Sequence, residues 1–229
     1  MKKYLVISSL FILNSSLLFA QSWGQLKQGK LAIGGSHDDL GLSIIQTKDG
    51  GYAITGYTYS YADTTNGDIY VMKLDYKGGL KWTQAIGGKG RDIGNSIAQT
   101  SDGGYIIAGT TNSFGAGNYD VYVIKLDSLG NVKWTSTIGG TGDDEGVSVV
   151  QANDGGYIVA GYTNSFGAGS YDMYVVKLDS GGSIKWTHTI GGAGADFASK
   201  IITTKDRGYV LAGYTNSFGA GGDDFYWSN

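Results

Sequence analysis

The chain has 229 residues, 41% of them hydrophobic, with 40 Gly and neither Pro nor Cys. That length suits one large domain or two small ones; the apolar content argues against wholesale disorder, and the missing Cys excludes disulfides, thiolate zinc sites and cysteine nucleophiles. Seventeen Lys and Arg against 20 Asp and Glu give a net charge of −3, a poor balance for binding nucleic acid, where phosphates demand clustered cations.

The first element in chain order is a leader. Lys2 and Lys3 precede a mostly apolar run over 4–20, interrupted by Ser8, Ser9, Asn14, Ser15 and Ser16, and small Ala20 stands before Gln21. The pattern predicts a secretory signal peptide over 1–20, cleaved near Ala20. The run is short and broken for a spanning helix, and no later stretch is long and apolar enough, so the mature chain is expected to have no membrane span. No Cys follows the run, which excludes a lipoprotein anchor. Loss of Lys2 and Lys3 with the leader leaves 15 basic against 20 acidic residues, a net charge of −5.

The mature chain, 21–229, is written as a repeat. Gly-Tyr pairs end at Tyr52, Tyr105, Tyr157 and Tyr209, and Ile-Gly-Gly triplets end at Gly35, Gly88, Gly140 and Gly192. Both landmarks step by 53, 52 and 52 residues, which fixes a period characteristic of repeat architectures. The repeats run approximately over 36–88, 89–140, 141–192 and 193–229, the last one incomplete.

Each period holds four strand-like runs. In the third copy they are 146–152 (GVSVVQA), 157–163 (YIVAGYT), 172–178 (DMYVVKL) and 183–190 (SIKWTHTI). All are rich in Val, Ile, Tyr, Thr or Trp and bounded by Gly, Asn, Asp or Ser. The stretches "NDGG" from Asn153 and "DSGG" from Asp179 are hairpin turns in which Gly supplies positive φ. No segment carries a 3.6-residue apolar stripe, so almost no helix is expected. The run "MYVVKL" is apolar on both faces, as a strand covered on both sides must be. The Ala-Gly pairs at Ala108, Ala160 and Ala212 are expected to let neighbouring sheets approach closely. Four antiparallel strands per period predict an all-β propeller with one four-stranded blade per repeat. It either closes as a ring of four blades or forms part of a larger ring. A β-solenoid competes, but its rungs are usually shorter.

The endings "KLDSLGNVKW" from Lys125 and "KLDSGGSIKW" from Lys177 resemble the strand–turn–strand close of tryptophan-motif blades in quinoprotein-type propellers. The whole unit resembles the secreted β-propeller repeat proteins of bacteria, over about Ile33 to Tyr226. The resemblance implies an architecture and an exported location, and no cofactor, because the extra site residues of the quinoproteins have no match here. The last copy stops at "DDFYWSN", short of that ending. The opening "WGQLKQGKLAIGG" from Trp23 resembles "WTQAIGG" from Trp82 with an insertion. Paired chain ends would close a four-blade ring, whereas an incomplete blade leaves a strand edge through which a homodimer could form.

Candidate site residues fall into three sets. Trp82, Trp134 and Trp186, each after a Lys, are expected to pack between blades, with sugar stacking as the alternative; Tyr52, Tyr105, Tyr157 and Tyr209 are the other structural repeat residues. Asp39, Asp92, Asp144 and Asp196 sit four residues after a Gly-Gly pair, and Asp68, Asp120, Asp172 and Asp224 sit two before a Tyr. The loops that carry them are expected to share one face. Calcium would suit clustered carboxylates, but the spacing matches no EF-hand and such Asp residues often bond turn N–H groups, so no cofactor is assigned. Phe114, Phe166 and Phe218, in three "TNSFGAG" loops, either plug each loop onto its blade or form an exposed aromatic rim for a partner. The first copy departs here, with "TYSYADTTNG" from Thr58.

Catalysis finds little support. His37 and His188 fall at non-equivalent positions, and no nucleophile elbow, phosphate loop or ligating His pair occurs. Asp143 and Asp144 are sequence neighbours, which does not place them across a substrate. The expectation is a non-enzymatic, secreted structural or protein-interaction module, with a carbohydrate-binding propeller as the alternative.

Overall fold

The computed structural model describes residues 32–61 and 65–228. The expected leader over 1–20 and most of the Trp23 segment lie outside the described residues. Within them the chain forms four separate antiparallel sheets and no helix. Sheet 1 comprises β1 (Asp39–Gln46), β2 (Tyr52–Thr58), β3 (Asp68–Leu74) and β4 (Leu80–Ile86). Sheet 2 comprises β5 (Asp92–Gln99), β6 (Tyr105–Thr111), β7 (Asp120–Leu126) and β8 (Val132–Ile138). Sheet 3 comprises β9 (Asp144–Gln151), β10 (Tyr157–Thr163), β11 (Asp172–Leu178) and β12 (Ile184–Ile190). Sheet 4 has three described strands, β13 (Asp196–Thr203), β14 (Tyr209–Thr215) and β15 (Asp224–Ser228).

In each sheet the strands pair in sequence order. Separate four-stranded sheets linked end to end are not the continuous rungs of a solenoid, and they fit a repeat β-propeller-like fold. The array is open: no closed ring is formed among the described residues. Turn chemistry explains the meander. Gly155 and Gly182 have φ of 82° and 87°, a region L side chains avoid.

Middle strands are buried on both faces, as in β7, where every residue is buried, because each sheet packs against the next. Ala53, Ile69 and Val71 of sheet 1 meet Ile97, Ile107 and Ile124 of sheet 2. Ile106, Val121 and Val123 of sheet 2 meet Val149, Val159 and Val176 of sheet 3. Ile158, Met173 and Val175 of sheet 3 meet Ile201 and Leu211 of sheet 4. One residue type ties each pair by a hydrogen bond: Ser43, Ser96 and Ser148 accept at Oγ from the backbone N–H of Ile97, Val149 and Ile201, at 3.4, 3.2 and 3.2 Å.

The Ala-Gly pairs divide their work differently from the expectation. Ala108 and Ala160 do face the next sheet. The Gly beside them serves its own sheet. A Cβ on Gly109 would lie 1.8 Å from the carbonyl oxygen of Ile93, and one on Gly161 would lie 1.7 Å from that of Glu145. Both oxygens belong to the first strand of the same sheet, which bulges against the second at this point. The missing Cβ therefore makes room for the bulge, and the next sheet also comes close at this point, as expected: a Cβ on Gly146 of sheet 3 would lie 2.9 Å from the Gly109 carbonyl oxygen.

Candidate functional site

The loop face is built from the start of each first strand. Asp92 opens β5 and is fully buried. Its Oδ2 accepts from the Gly88 N–H at 2.9 Å and from Ser113 Oγ at 2.6 Å, and Ser113 Oγ accepts from the Gly90 N–H at 2.9 Å. The carboxylate thus ties the Gly-Gly turn to the loop after β6. Sheet 3 repeats the knot: Asp144 Oδ2 accepts from Gly140 N–H at 2.8 Å and from Ser165 Oγ at 2.6 Å. Sheet 4 does so with Asp196, which accepts from Gly192 N–H at 3.0 Å, from Ser217 Oγ at 2.5 Å and from the Thr215 hydroxyl. In sheet 1, Asp39 accepts from Gly35 N–H at 2.7 Å, Ser60 Oγ at 2.8 Å and the Thr58 hydroxyl. The loops before the first strand and between the second and third strands do share one face. The four Asp lie beneath that face, 0–7% exposed.

The other acidic series closes the seam between sheets. A Cβ on Gly139 would fall 2.2 Å from Asp120 Oδ1 and 2.5 Å from Asp144 Oδ2. Only Gly fits between these two carboxylates, one from each sheet. Burial, and then the Asp144 charge, push the Asp120 carboxyl up from its ordinary value. Asp172 is raised chiefly by burial, with Asp196 adding to it. Ala116 N–H donates to Asp120 Oδ2 at 3.2 Å. Donors of their own loops thus meet Oδ2 throughout the first series and on Asp120 and Asp224 of the second, while Oδ1 of Asp92 and of Asp144 is buried without a hydrogen-bond partner. Among the described residues, no three His, Cys, Asp or Glu side chains converge as a metal site.

Phe114, Phe166 and Phe218 stand at 43, 43 and 49% exposure. Each leans on the Tyr of its own third strand: Phe114 on Tyr122 at 5.5 Å, Phe166 on Tyr174 at 5.7 Å and Phe218 on Tyr226 at 6.3 Å between ring centroids. One side of each ring anchors its loop and the other meets solvent. In sheet 1 the equivalent ring is Tyr61, stacked on Tyr70 at 5.1 Å, with its hydroxyl donating to the Gly34 carbonyl at 2.7 Å.

The Trp residues mark the opposite side. Trp82 meets Tyr105 of the next sheet edge-on at 5.6 Å, and a Cβ on Gly130 would lie 2.8 Å from its indole. Trp134 repeats this with Tyr157 at 5.7 Å and Gly182, and its Nε1 donates to the Ser180 carbonyl at 3.3 Å. Trp186 differs: it is 39% exposed, beside His188, because sheet 4 presents no third-to-fourth-strand turn among the described residues. Tyr209 is only half-buried and Tyr52 likewise, whereas Tyr105 and Tyr157 are 1% and 2% exposed.

Between sheets 2 and 3 lies a groove of about 550 Å³, lined by Trp134, Lys133, Asp102, Gln151 and Asp154, with Lys125 and Tyr157 at its base. Lys125 belongs to a series that the sequence reasoning missed. Lys73, Lys125 and Lys177 are 5–7% exposed within otherwise apolar third strands. Each forms an ion pair with the Asp of its "DGG" turn, at 2.9, 3.0 and 2.6 Å for Asp49, Asp102 and Asp154. The recurrence of a Lys in an apolar strand two residues before an Asp was a signal that could have found them. Burial raises the Asp102 carboxyl, but bonds from Thr100, Lys125 and Gly104 outweigh it and bring it down to about 2.

No family model matches the chain. It is similar to the "Regulatory protein FlaEY" of Caulobacter vibrioides, 26% identical over 187 residues, which covers 70% of this chain and 20% of that protein. Among solved structures it is similar to a protein of unknown function from Bacteroides caccae, with 12% identity, a TM-score of 0.48 and coverage of 75% of this chain and 52% of that one. It also resembles Sqt1 from Chaetomium thermophilum, with 14% identity, a TM-score of 0.43 and coverage of 79% and 42%. The chain thus spans about a fifth of the curated relative's length and about half of either solved chain.

Proposed function

We propose that the chain is an exported, non-enzymatic β-propeller-type module that works by contact with a partner at the cell surface or in the envelope. The observation that carries this reading is how the repeated polar residues are used. The Asp–Ser–Gly knots, the Lys–Asp pairs and the Ser links recur with the same partners from sheet to sheet. Their chemistry goes into holding a shape. What that shape presents outward on the loop face is a row of half-exposed rings, Phe114, Phe166 and Phe218, and aromatic groups are favoured contact residues. Photo-crosslinking from position 166 in the producing cells tests it. A discrete adduct to one envelope protein, lost when Phe114 and Phe218 are changed to Ser, is the expected result. No adduct, or a chain retained in the cytoplasm, overturns it.

A carbohydrate is the second reading, favoured by the groove beside Trp134. An indole flanked by carboxylates, a lysine and an amide offers both a stacking surface and hydrogen-bond partners. A glycan array with the purified protein and Trp134→Ala separates the two: binding lost in the variant supports the groove, and no glycan binding at all removes this reading.

A further inference from the structure

The lysines that precede the repeated Trp residues are not all used alike. Lys81, Lys133 and Lys185 are the second residues of β4, β8 and β12. Each follows a turn opened by an Asp, and Oδ1 of Asp75, Asp127 and Asp179 accepts two backbone N–H groups of its own turn. In sheets 1 and 3 the Lys then pairs with that Asp, Lys81 with Asp75 at 3.9 Å and Lys185 with Asp179 at 2.9 Å. In sheet 2 the side-chain amide of Asn131 takes the carboxylate instead, donating to Asp127 Oδ2 at 3.0 Å and Oδ1 at 3.3 Å. The equivalent residues, Gly79 and Ser183, have no amide to offer. Lys133 is exposed and forms no ion pair among the described residues.

That ammonium lines the groove between sheets 2 and 3. Lys133 is the residue a bulge inserts between Val132 and Trp134, which pair with Leu126 and Lys125. A regular strand would send Lys133 and Trp134 to opposite faces; the bulge lets both line one groove. The walls are held in place by bonds across the seam. Gln151 Oε1 accepts from the Ser101 N–H at 2.7 Å, and Trp134 Nε1 donates to the Ser180 carbonyl at 3.3 Å. Asp102 and Asp154 stand in the same groove with side chains 64% and 65% exposed. Their ion pairs with Lys125 and Lys177 keep them charged, and their exposure leaves them able to accept from hydroxyl donors.

We propose that this groove takes a saccharide bearing a carboxylate, a uronic-acid unit, whose acid group meets Lys133 and whose hydroxyls donate to Asp102 and Asp154. The inference rests on the carbohydrate reading of the groove and adds the acid group to it. An unpaired cation beside two carboxylates asks for an anion and hydroxyl donors side by side, and a uronic acid carries both on one ring. A neutral sugar leaves Lys133 unmatched. An acidic peptide, with closely spaced carboxylates and few hydroxyls, sets like charges against Asp102 and Asp154.

Titration calorimetry with uronic-acid oligosaccharides and their neutral counterparts of equal length (galacturonate and galactose, glucuronate and glucose) tests the proposal. The parent protein is expected to bind one of the acids at least about tenfold more tightly than its neutral counterpart. K133Q is expected to abolish that gap and to leave the neutral affinity within about twofold. N131S keeps Lys133 but frees Asp127 to pair with it, as in sheet 3, and is expected to narrow the gap about threefold. Both positions are exposed, and unchanged melting temperatures show that the variants fold. Equal affinity for acid and neutral sugars, or a gap that survives K133Q, overturns the acid preference and leaves the carbohydrate reading standing. Binding of none of these sugars overturns both. Displacement of the bound acid by an oligoglutamate of the same charge, mole for mole, assigns the groove to anions in general and overturns the proposal as well.

Discussion

Sheet 2 and sheet 1 carry the same residue pattern, yet equivalent side chains live in different solvents. Ile97 on β5 is 3% exposed, packed behind Ala53, Ile69 and Val71 of the sheet before it. Ile44 occupies the same place on β1 and is 52% exposed. The later equivalents, Val149 and Ile201, are 3% and 2% exposed. At the other end, Trp134 is lidded by the Gly182 turn while Trp186 lies open. A repeat unit therefore does not bury its own apolar surface. Its neighbour does that, so stability in this architecture belongs to the seams as much as to the sheets.

The sharpest way to break the comparison is to place one charge at both equivalent positions. Ile97→Asp sets a carboxylate in a dry seam with no donor supplied for it, and is expected to cost about 4 kcal/mol or to prevent folding outright. Ile44→Asp is expected to stay within about 0.5 kcal/mol of the parent, as exposed substitutions do. Urea denaturation of both variants decides it. Equal losses would mean that the rear face of sheet 1 is covered in solution.

The Trp series gives a smaller contrast. Trp134→Ala opens a gap between Tyr157 and the Gly182 turn and is expected to cost about 3 kcal/mol. Trp186→Ala removes a ring that is already 39% exposed and is expected to cost less than about 1 kcal/mol. Thermal melts read both. A Trp186 loss as large as that of Trp134 would show that something seals the third seam as the Gly182 turn seals the second.

Much of the fold was legible because the local signals agree with one another. The runs expected at 157–163 and 172–178 are β10 and β11 to the residue. The first strand was expected from Gly146, but β9 begins at Asp144. Acidic residues are poor strand formers by propensity; here Oδ2 of Asp144 is anchored by Gly140 and Ser165, which holds the residue at the start of the strand. The site was less legible. Asp92 and Ser113 are 21 residues apart, Lys125 and Asp102 are 23 apart, and Ser96 reaches Val149 across 53. Contacts that long in sequence leave no periodicity to read. The Gly of each Ala-Gly pair was visible as a residue needing room, but a bulge and a seam make the same demand on it.

The Lys–Asp pairs bear on the comparison through pH, with the smallest effect. They recur in sheets 1, 2 and 3, and the matching turn of sheet 4 has no Lys opposite it among the described residues: Asp206 takes its bonds from Thr204 and Gly208. Hydrogen bonds from Thr47, Lys73 and Gly51 hold Asp49 far below its ordinary value, and Lys177 and Gly156 lower Asp154. A carboxylate whose folded pKa is depressed stabilises the fold above its unfolded pKa, near 3.9, and loses that contribution as pH falls through the folded value. For Asp102 the window runs from about 4 down to about 2. Between pH 6 and pH 3 the urea midpoint is therefore expected to fall. Asp102→Asn is expected to start lower at pH 6, because buried Lys125 loses its counter-charge, and to fall less steeply. Asp120 and Asp172 work against this trend: their raised pKa values favour proton uptake by the folded state, so acid relieves the seams while it weakens the hairpins. A midpoint that does not move between pH 6 and pH 3 would mean that the two sets cancel. The Asp120→Asn/Asp172→Asn double variant would then separate them, since relieving both seams in advance leaves, of the two sets, only the hairpin pairs to titrate and makes the midpoint fall with acid.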